Sequence, residues 1–163
     1  MEKWTKSSVK YINTTHKVLQ ILAQKLLSKS MYDIRVLNTG GKRDAEMQYL
    51  IYKQGNSKRD GYTIKSYHQT GLAIDFVPYV DGVLTWENRK AFLSNAKAVF
   101  ECWDEMKESG ESENYHLHWG GFWGANDLDK DGLLEITDKL GWDLAHFELR
   151  SEQQRNALKI ESL

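Results

Sequence analysis

The chain has 163 residues, of which 40% are hydrophobic and 28% charged, with a formal net charge of -1 at pH 7. This length suits one compact domain with a single hydrophobic core. The sequence contains no apolar run of the ~18 residues that a membrane span requires and no secretory signal peptide. Its one cysteine, Cys102, cannot form an internal disulfide. We therefore expect synthesis in a reducing compartment and no stable membrane insertion.

The small net charge hides an uneven distribution along the chain. Residues 1–60 carry 12 Lys and Arg against 5 Asp and Glu, whereas residues 61–163 carry 10 against 18. The basic residues of the first part are spread through helical sequence with few aromatic residues between them. This pattern is typical of solvated helix surfaces rather than of nucleic-acid binding. We expect no nucleic-acid partner.

The first half of the chain predicts two helices and one strand. Hydrophobic spacings of three and four predict a helix from Ser7 or Ser8 to about residue 28 and a second helix over residues 43–52. Apolar residues over 33–38 predict a short strand that ends in a glycine turn. The polar residues 54–65 indicate a loop.

The second half predicts strands around one long helix. Residues 72–80 alternate as a strand, although Pro78 limits its pairing. Thr85 is the predicted N-cap of a helix with one apolar stripe. Residues 115–119 and 147–149 predict two further strands, and Ser151 with Gln154 forms a capping box. The stripe consists of Phe92, Ala96, Val99, Trp103 and Met106. We expect an α+β fold, with one domain over residues 1–163 and a small antiparallel sheet flanked by helices.

Asp75 is a charged residue inside an apolar strand, and His68 precedes it by seven residues. Burying a carboxylate costs several kcal/mol unless it is paired or binds a metal. A histidine across the bend at residues 69–71 is placed to share such a metal. Taken alone, the pair is equally compatible with a structural salt bridge or a cap.

Asp143 and His146 form a second element just before the last predicted strand. An acid three residues before a histidine can act on water beside a metal while the histidine binds that metal. His68, Asp75 and His146 together supply three nitrogen and oxygen ligands and leave a fourth position open, as in catalytic zinc sites. Zinc would lower the pKa of bound water, and Asp143 would accept its proton.

The sequence SYHQTGLAIDFVPY, over residues 66–79, and DLAHFEL, over residues 143–149, carry a family resemblance. They resemble the zinc D,D-carboxypeptidase and L-alanyl-D-glutamate endopeptidase family of bacterial cell-wall enzymes, of VanY type, with small phage endolysins closest in size. The resemblance covers roughly residues 30–150. It implies zinc ligation by His68, Asp75 and His146 at the edge of the sheet, with Asp143 as general base. An aspartate as base favours the L-alanyl-D-glutamate endopeptidases.

Three further residues are matched to the substrate cleft by the same resemblance. Arg43 corresponds to an arginine that stabilises the tetrahedral intermediate or anchors a substrate carboxylate, a task suited to a bidentate guanidinium. Without the resemblance, Arg43 also fits an exposed arginine at a helix start. Gln48 and Ser66 are expected to line the cleft.

Residues 127–138 match the start of a calcium-binding loop, with Gly132 at the sharp turn. Position 12 is an aspartate instead of the usual glutamate, which should weaken binding or reduce selectivity against magnesium. An acidic surface turn is the alternative. The resemblance to calcium-regulated endolysins implies that Ca²⁺ activates the zinc site. The predicted ligands are Asp127, Asp129, Asp131, Leu133 and Asp138.

The function implied by these motifs is that of a zinc metallopeptidase, an endolysin that hydrolyses the L-alanyl-D-glutamate bond of peptidoglycan and lyses bacteria. One alternative is a D-alanyl-D-alanine carboxypeptidase of the same family, and another is an inactive calcium-dependent cell-wall binding module. His116 and His118 offer a further metal pair, although a structural role fits them better. We expect a monomer that stays in the host cytoplasm until a holin opens the inner membrane and then acts from the periplasm.

Overall fold

The computed structural model describes residues 3–123 and 141–154. In these residues it has the expected α+β fold, with four α-helices, two short 3-10 helices and six strands. The α-helices are α1 (Lys6–Ile12), α2 (Lys17–Lys29), α3 (Ala45–Lys53) and α4 (Arg89–Ser109). The 3-10 helices are Tyr67–Thr70 and Gly120–Phe122. The strands are β1 (Asp33–Arg35), β2 (Ala73–Asp75), β3 (Val77–Val80), β4 (Val83–Leu84), β5 (Tyr115–Trp119) and β6 (His146–Ser151).

The described strands form two antiparallel sheets, of order β1-β3-β4 and β2-β6-β5, instead of the one predicted sheet. The strand predicted over residues 72–80 is divided at Phe76. Before it, β2 pairs with β6, and Asp75 lies opposite His146. After it, β3 pairs with β1, and Pro78 lies opposite Ile34. The alternation of side chains shows which face of a strand each residue occupies but not which strands it pairs with. The alternation over residues 72–80 therefore could not predict that the chain changes sheets at Phe76.

The first predicted helix is two helices, α1 and α2, separated by a polar stretch. Thr15 donates its hydroxyl hydrogen to Ile12 O at 2.7 Å, and the backbone N–H of His16 bonds Gly71 O at 2.8 Å. His16 then caps α2, because its Nδ1 accepts from Val18 N at 3.2 Å. Side-chain bonds to local backbone compete with helical ones, and the apolar spacing continues across the break.

Two helix caps also differ from the prediction. The N-cap of α4 is Asn88, whose Oδ1 accepts from Ala91 N at 3.0 Å, while Thr85 accepts from Asn88 N in the turn before the helix. Helix α3 starts at Ala45, since Asp44 accepts from Met47 N at 2.7 Å. The first correction replaces one polar cap by another three residues along, and the second moves the helix start from residue 43 to Ala45.

The other predicted strands and the loop are present at the expected places in the chain, with different lengths for two strands. β5 has the predicted bounds, β6 is longer than predicted, and β1 is shorter. The capping box after β6 is present, since Ser151 N donates to Gln154 Oε1 at 2.9 Å and Gln154 N donates to Ser151 Oγ at 3.3 Å. Residues 54–65 contain no strand and no helix.

The main core joins α2 and α4 to the β2-β6-β5 sheet. The predicted stripe of α4 is buried along its whole length, as are Leu19 and Leu22 of α2. On β6, Phe147 and Leu149 lie in this core. Since strand residues alternate between faces, the residues between and beside them lie on the other face of the sheet. Every helix of the described residues is too short or too polar to cross a bilayer.

The thiol of Cys102 provides a test of this packing. It is fully buried on α4, and burial, followed by the nearby carboxylate of Glu105, raises its pKa to about 11. Because the thiolate is the reactive form, we expect no reaction of the folded protein with a thiol-specific chromogenic reagent at pH 8. One thiol per chain should react after unfolding in guanidinium chloride. Rapid labelling of the folded protein would contradict the position of α4 in the core.

Candidate metal centre and cleft

Three side chains from three different elements meet beside the β2-β6-β5 sheet. His68 belongs to the 3-10 helix Tyr67–Thr70, Asp75 ends β2 and His146 begins β6. His68 Nε2, His146 Nδ1 and Asp75 Oδ1 lie 3.1 Å from one another along all three edges. Within residues 3–123 and 141–154 this is the one group of His, Cys, Asp and Glu side chains close enough to hold a metal ion.

The dimensions of this triangle fit a small divalent metal. With zinc–ligand distances of about 2.0–2.1 Å, neighbouring ligand atoms of a tetrahedral site are separated by about 3.3 Å. The observed spacing of 3.1 Å is close to that value. Two imidazole nitrogens and one carboxylate oxygen are also the donor types of catalytic zinc sites, in which the fourth position is open. The three residues are therefore suited to hold such an ion.

His68 is oriented by the backbone on both sides of it. Ser66 caps the 3-10 helix by accepting from His68 N at 3.3 Å, and Gly71 ends the helix with a positive φ of 76°. The Nδ1 of His68 lies 2.8 Å from Gly41 O. A carbonyl only accepts, so Nδ1 carries the hydrogen and Nε2 presents its lone pair to the triangle. Burial lowers the pKa of His68, which favours this neutral form.

His146 is oriented by two charged residues on the same face of β6. Its Nε2 donates to Glu148 Oε2 at 2.9 Å, and Glu148 Oε1 accepts from Arg150 Nε at 2.7 Å. Burial opposes the charge of Glu148, but the bonds from His146 and the charge of Arg150 outweigh it and lower the pKa of Glu148 to about 2. Burial also opposes the charged form of His146, yet bonds to Asp75 and Glu148 raise its pKa to about 10. A metal ion therefore competes with a proton for Nδ1.

The roles of Glu148 and Arg150 were missed in the sequence. They occupy alternate positions after His146, so the pattern His-x-Glu-x-Arg on a strand places all three on one face. That alternation was a usable signal. The strand prediction used only the apolar positions of this segment, Phe147 and Leu149, and not the polar positions that alternate with them.

Arg43 is tied to the metal triangle rather than isolated in the cleft. Its Nη2 donates to Asp75 Oδ2 at 2.9 Å, its Nη1 to Gln48 Oε1 at 3.0 Å and its Nε to Thr39 O at 2.5 Å. Three of the five guanidinium N–H groups are used in this way, which leaves two for other partners. The predicted exposed arginine at a helix start is thus excluded, because its side chain is 10% exposed.

Gln48 does not line the cleft, contrary to the expectation from sequence. It is fully buried, and its Nε2 donates to Ser57 Oγ at 3.0 Å and to Arg59 O at 2.8 Å. With its Oε1 bound to Arg43, both ends of the amide are satisfied inside the protein. Gln48 therefore connects Arg43 to the loop before the 3-10 helix that carries His68.

A cleft of about 450 Å³ opens over the metal triangle. Arg43, Ser66 and Asp143 line it together with His68 and His146, so the structure brings together most of the predicted site. Trp123 and Trp142 form an aromatic side of the cleft, with ring centroids 5.3 Å apart, and Trp123 lies 5.1 Å from the His146 ring. The predicted calcium ligands, Asp127, Asp129, Asp131, Leu133 and Asp138, lie outside the described residues.

Asp143 is positioned by close contacts with Gly120, the first residue after β5. A Cβ atom on Gly120 would collide with Asp143 O, so a side chain at that position would displace the aspartate. Trp119 Nε1 donates to Leu144 O at 2.9 Å, which fixes the next residue. Burial, followed by the charge of Asp75, raises the pKa of Asp143 to about 6. A half-buried carboxylate with this pKa, beside the triangle, is suited to general-base chemistry.

The further metal pair that the sequence offered, His116 and His118, is not part of the triangle. His116 pairs with Glu152 at 2.5 Å between Nε2 and Oε2. His118 lies opposite Glu148 in the sheet and is buried. The interpretation of this pair as structural is consistent with these positions.

Comparison with known proteins agrees with the site. A family model for phage L-alanyl-D-glutamate peptidases matches residues 1–150. The chain belongs to this family. The L-alanyl-D-glutamate peptidase of Escherichia phage T5 is 30% identical over 147 residues, which are 90% of this chain and 97% of that protein. The resemblance that the sequence motifs indicated is confirmed.

Two further relatives of the chain are bacterial. The peptidoglycan L-alanyl-D-glutamate endopeptidase CwlK of Bacillus subtilis (strain 168) is 33% identical over 96 residues, covering 55% of this chain and 54% of CwlK. The crystal structure of the Serratia marcescens L-Ala D-Glu endopeptidase ChiX superposes with a TM-score of 0.65 at 26% identity, covering 90% of this chain and 89% of ChiX. The α+β fold is therefore shared with a solved endopeptidase of this specificity.

The bond from His146 to Glu148 predicts the effect of Glu148→Gln. The uncharged amide accepts the Nε2 hydrogen of His146 more weakly than the carboxylate does. The His146 ring is then held less firmly and its Nδ1 is less basic, so the affinity for Zn²⁺ should fall by roughly 10–100-fold. Competition with a chromogenic zinc chelator measures this affinity. Glu105→Gln is the matched control, since Glu105 pairs with Lys29 on the surface. Unchanged affinity in Glu148→Gln would show that Glu148 does not support the metal centre.

Proposed function

We propose that the chain is a zinc-dependent peptidoglycan peptidase that hydrolyses the bond between L-alanine and D-glutamate in the stem peptide, and so lyses bacterial cells. The observation that carries the proposal is the triangle of His68, Asp75 and His146 with Asp143 in the same cleft. Family membership and the names of the relatives support the choice of bond.

The residues of the cleft divide the chemistry between them. A zinc ion held by the triangle would supply a Lewis acid for the scissile carbonyl and lower the pKa of the attacking water. Asp143 accepts a proton from that water as the new C–O bond forms. It then gives the proton to the amine that leaves when the C–N bond breaks. With a pKa of about 6, Asp143 is mostly ionised at neutral pH and can accept the proton.

Arg43 serves the same reaction through its two remaining N–H groups. They are available to an oxyanion or a substrate carboxylate in the cleft, while the bond to Asp75 Oδ2 fixes the guanidinium. Ser66 lines the cleft and also holds the 3-10 helix of His68. These contacts support a role in positioning for both residues.

Digestion of purified murein tests the proposed bond. We expect mass spectrometry to find new amino-terminal D-glutamate, and Asp143→Asn to lower kcat by about 10²–10⁴-fold with an unchanged zinc content. Asp104→Asn, an exposed aspartate paired with Lys107 on α4, is the matched control. Release of free D-alanine would instead indicate the carboxypeptidase alternative. Murein binding without hydrolysis would indicate the wall-binding module.

We also propose that Ca²⁺ activates the enzyme through residues 127–138. The proposal is supported by the D-x-D-x-D-G spacing and by its place in the chain, five residues before Asp143. Asp129→Ala should abolish stimulation by Ca²⁺ in a murein assay and leave the zinc content unchanged. Full activity of the unaltered chain in calcium-free buffer would contradict this part of the proposal.

A further inference from the structure

Four cationic side chains line the cleft, and they differ in how their charge is balanced. Arg43 pairs with Asp75, and Arg150 pairs with Glu148. Lys58 and Arg59 line the same cleft, but no carboxylate of residues 3–123 and 141–154 lies within ion-pair distance of either. Among the residues that the structure describes, Lys58 and Arg59 therefore carry positive charge that no ion pair balances.

Arg59 is held in place although it has no carboxylate partner. Its Nη1 donates to Lys65 O at 2.9 Å, its backbone N–H bonds Ser57 Oγ at 3.1 Å, and its carbonyl accepts from Gln48 at 2.8 Å. The guanidinium carbon lies 5.8 Å from the centroid of the Tyr67 ring. Residues 3–123 and 141–154 use one guanidinium N–H of Arg59, which leaves four for a ligand in this part of the structure.

The turn that follows Arg59 is fixed by its own hydrogen bonds. Asp60 Oδ1 accepts from the backbone N–H groups of Tyr62, Thr63 and Ile64 at 2.8–3.0 Å. Gln69 Nε2 donates to Gly61 O at 2.9 Å. The neighbouring carboxylate of Asp60 is thus engaged with the backbone of the turn. Arg59 is presented by a preorganised loop, which lowers the entropy lost on binding a ligand.

Tyr67 links the position of Arg59 to the triangle of His68, Asp75 and His146. Two guanidinium groups lie near its ring, with Arg59 at 5.8 Å and Arg150 at 5.7 Å from its centroid. The next residue along the chain is the metal-binding His68. Because Glu148 already neutralises Arg150, Arg59 rather than Arg150 is the guanidinium near Tyr67 that is available to an anion in the described part of the chain.

We propose that Arg59, assisted by Lys58, binds the free carboxylate of the D-glutamyl residue that follows the scissile bond. This inference rests on the proposed function. A glutamyl residue has two carboxyl groups, and only one of them continues the peptide, so the other stays ionised at neutral pH. A guanidinium with parallel N–H groups binds such a carboxylate in two places. The subsite favours stem peptides with a free acid over those in which this carboxyl is a carboxamide.

A pair of synthetic stem peptides tests the subsite. The two peptides differ only at the D-glutamyl side group, which is a carboxylate in one and the uncharged, nearly isosteric carboxamide in the other. We expect the unaltered enzyme to cleave the acid with a kcat/KM roughly 10–100-fold higher than the amide. Arg59→Gln should remove this preference by raising KM for the acid, with little change in kcat or in cleavage of the amide. Arg59→Lys should keep part of it.

Arg35→Gln is the matched control for these variants. Arg35 also lies over a tyrosine, 4.1 Å from the Tyr79 centroid, and donates to a backbone carbonyl, that of Ile34. It lies on β1 and does not line the cleft. The control should retain the full preference for the acid. Equal losses on both peptides in Arg59→Gln, or no preference in the unaltered enzyme, would overturn the proposal.

A binding measurement separates this inference from the proposed function. Calorimetry with Asp143→Asn gives the Kd of each peptide without turnover, and adding Arg59→Gln should make the two Kd values equal. If the unaltered chain cleaves neither peptide but binds the acid more tightly through Arg59, the proposed function is wrong and the subsite stands. If it cleaves both peptides equally and Arg59→Gln changes neither Kd, the subsite is wrong and the function stands.

Discussion

The burial of the Asp75 carboxylate is the constraint on which the site depends. A carboxylate in a protein interior costs several kcal/mol unless its charge is compensated. Here Oδ1 contacts both histidines at 3.1 Å and Oδ2 accepts from Arg43 at 2.9 Å. Burial works against ionisation, but these contacts outweigh it and hold the pKa of Asp75 well below its usual range. The compensation comes from three different segments, so the fold must bring them together.

The surroundings of Asp75 also explain the division of the strand at Phe76. The backbone N–H of Asp75 bonds Gly40 O at 2.9 Å, and that of Phe76 bonds Ala145 O at 2.9 Å. The chain therefore leaves one sheet and enters the other directly after the buried carboxylate. Gln48 extends the same network by bonding Arg43 and the loop that carries Arg59. A single buried amide thus joins the metal triangle to the cationic side of the cleft.

The sequence predicted the residues whose types and spacing are unusual, and it missed those whose roles depend on non-local bonds. An aspartate in an apolar strand and the His-x6-Asp spacing indicated two members of the triangle, and the Asp-x-x-His motif with the family resemblance supplied the third. The division of the first helix rests on a bond between His16 and Gly71, 55 residues apart, which local periodicity cannot show. Gln48 was placed in the right region, but whether an amide faces a cleft or spans two segments depends on partners distant in sequence.

The alternation along β6 assigns folding and ligand chemistry to different, neighbouring residues of one strand. Phe147 and Leu149 are packed in the core, whereas His146, Glu148 and Arg150 line the cleft. Substitutions at one set act on folding, and substitutions at the other act on ligand chemistry, although the sets interleave in six residues. Natural or laboratory evolution can therefore change the polar half of this strand while the hydrophobic half preserves the scaffold.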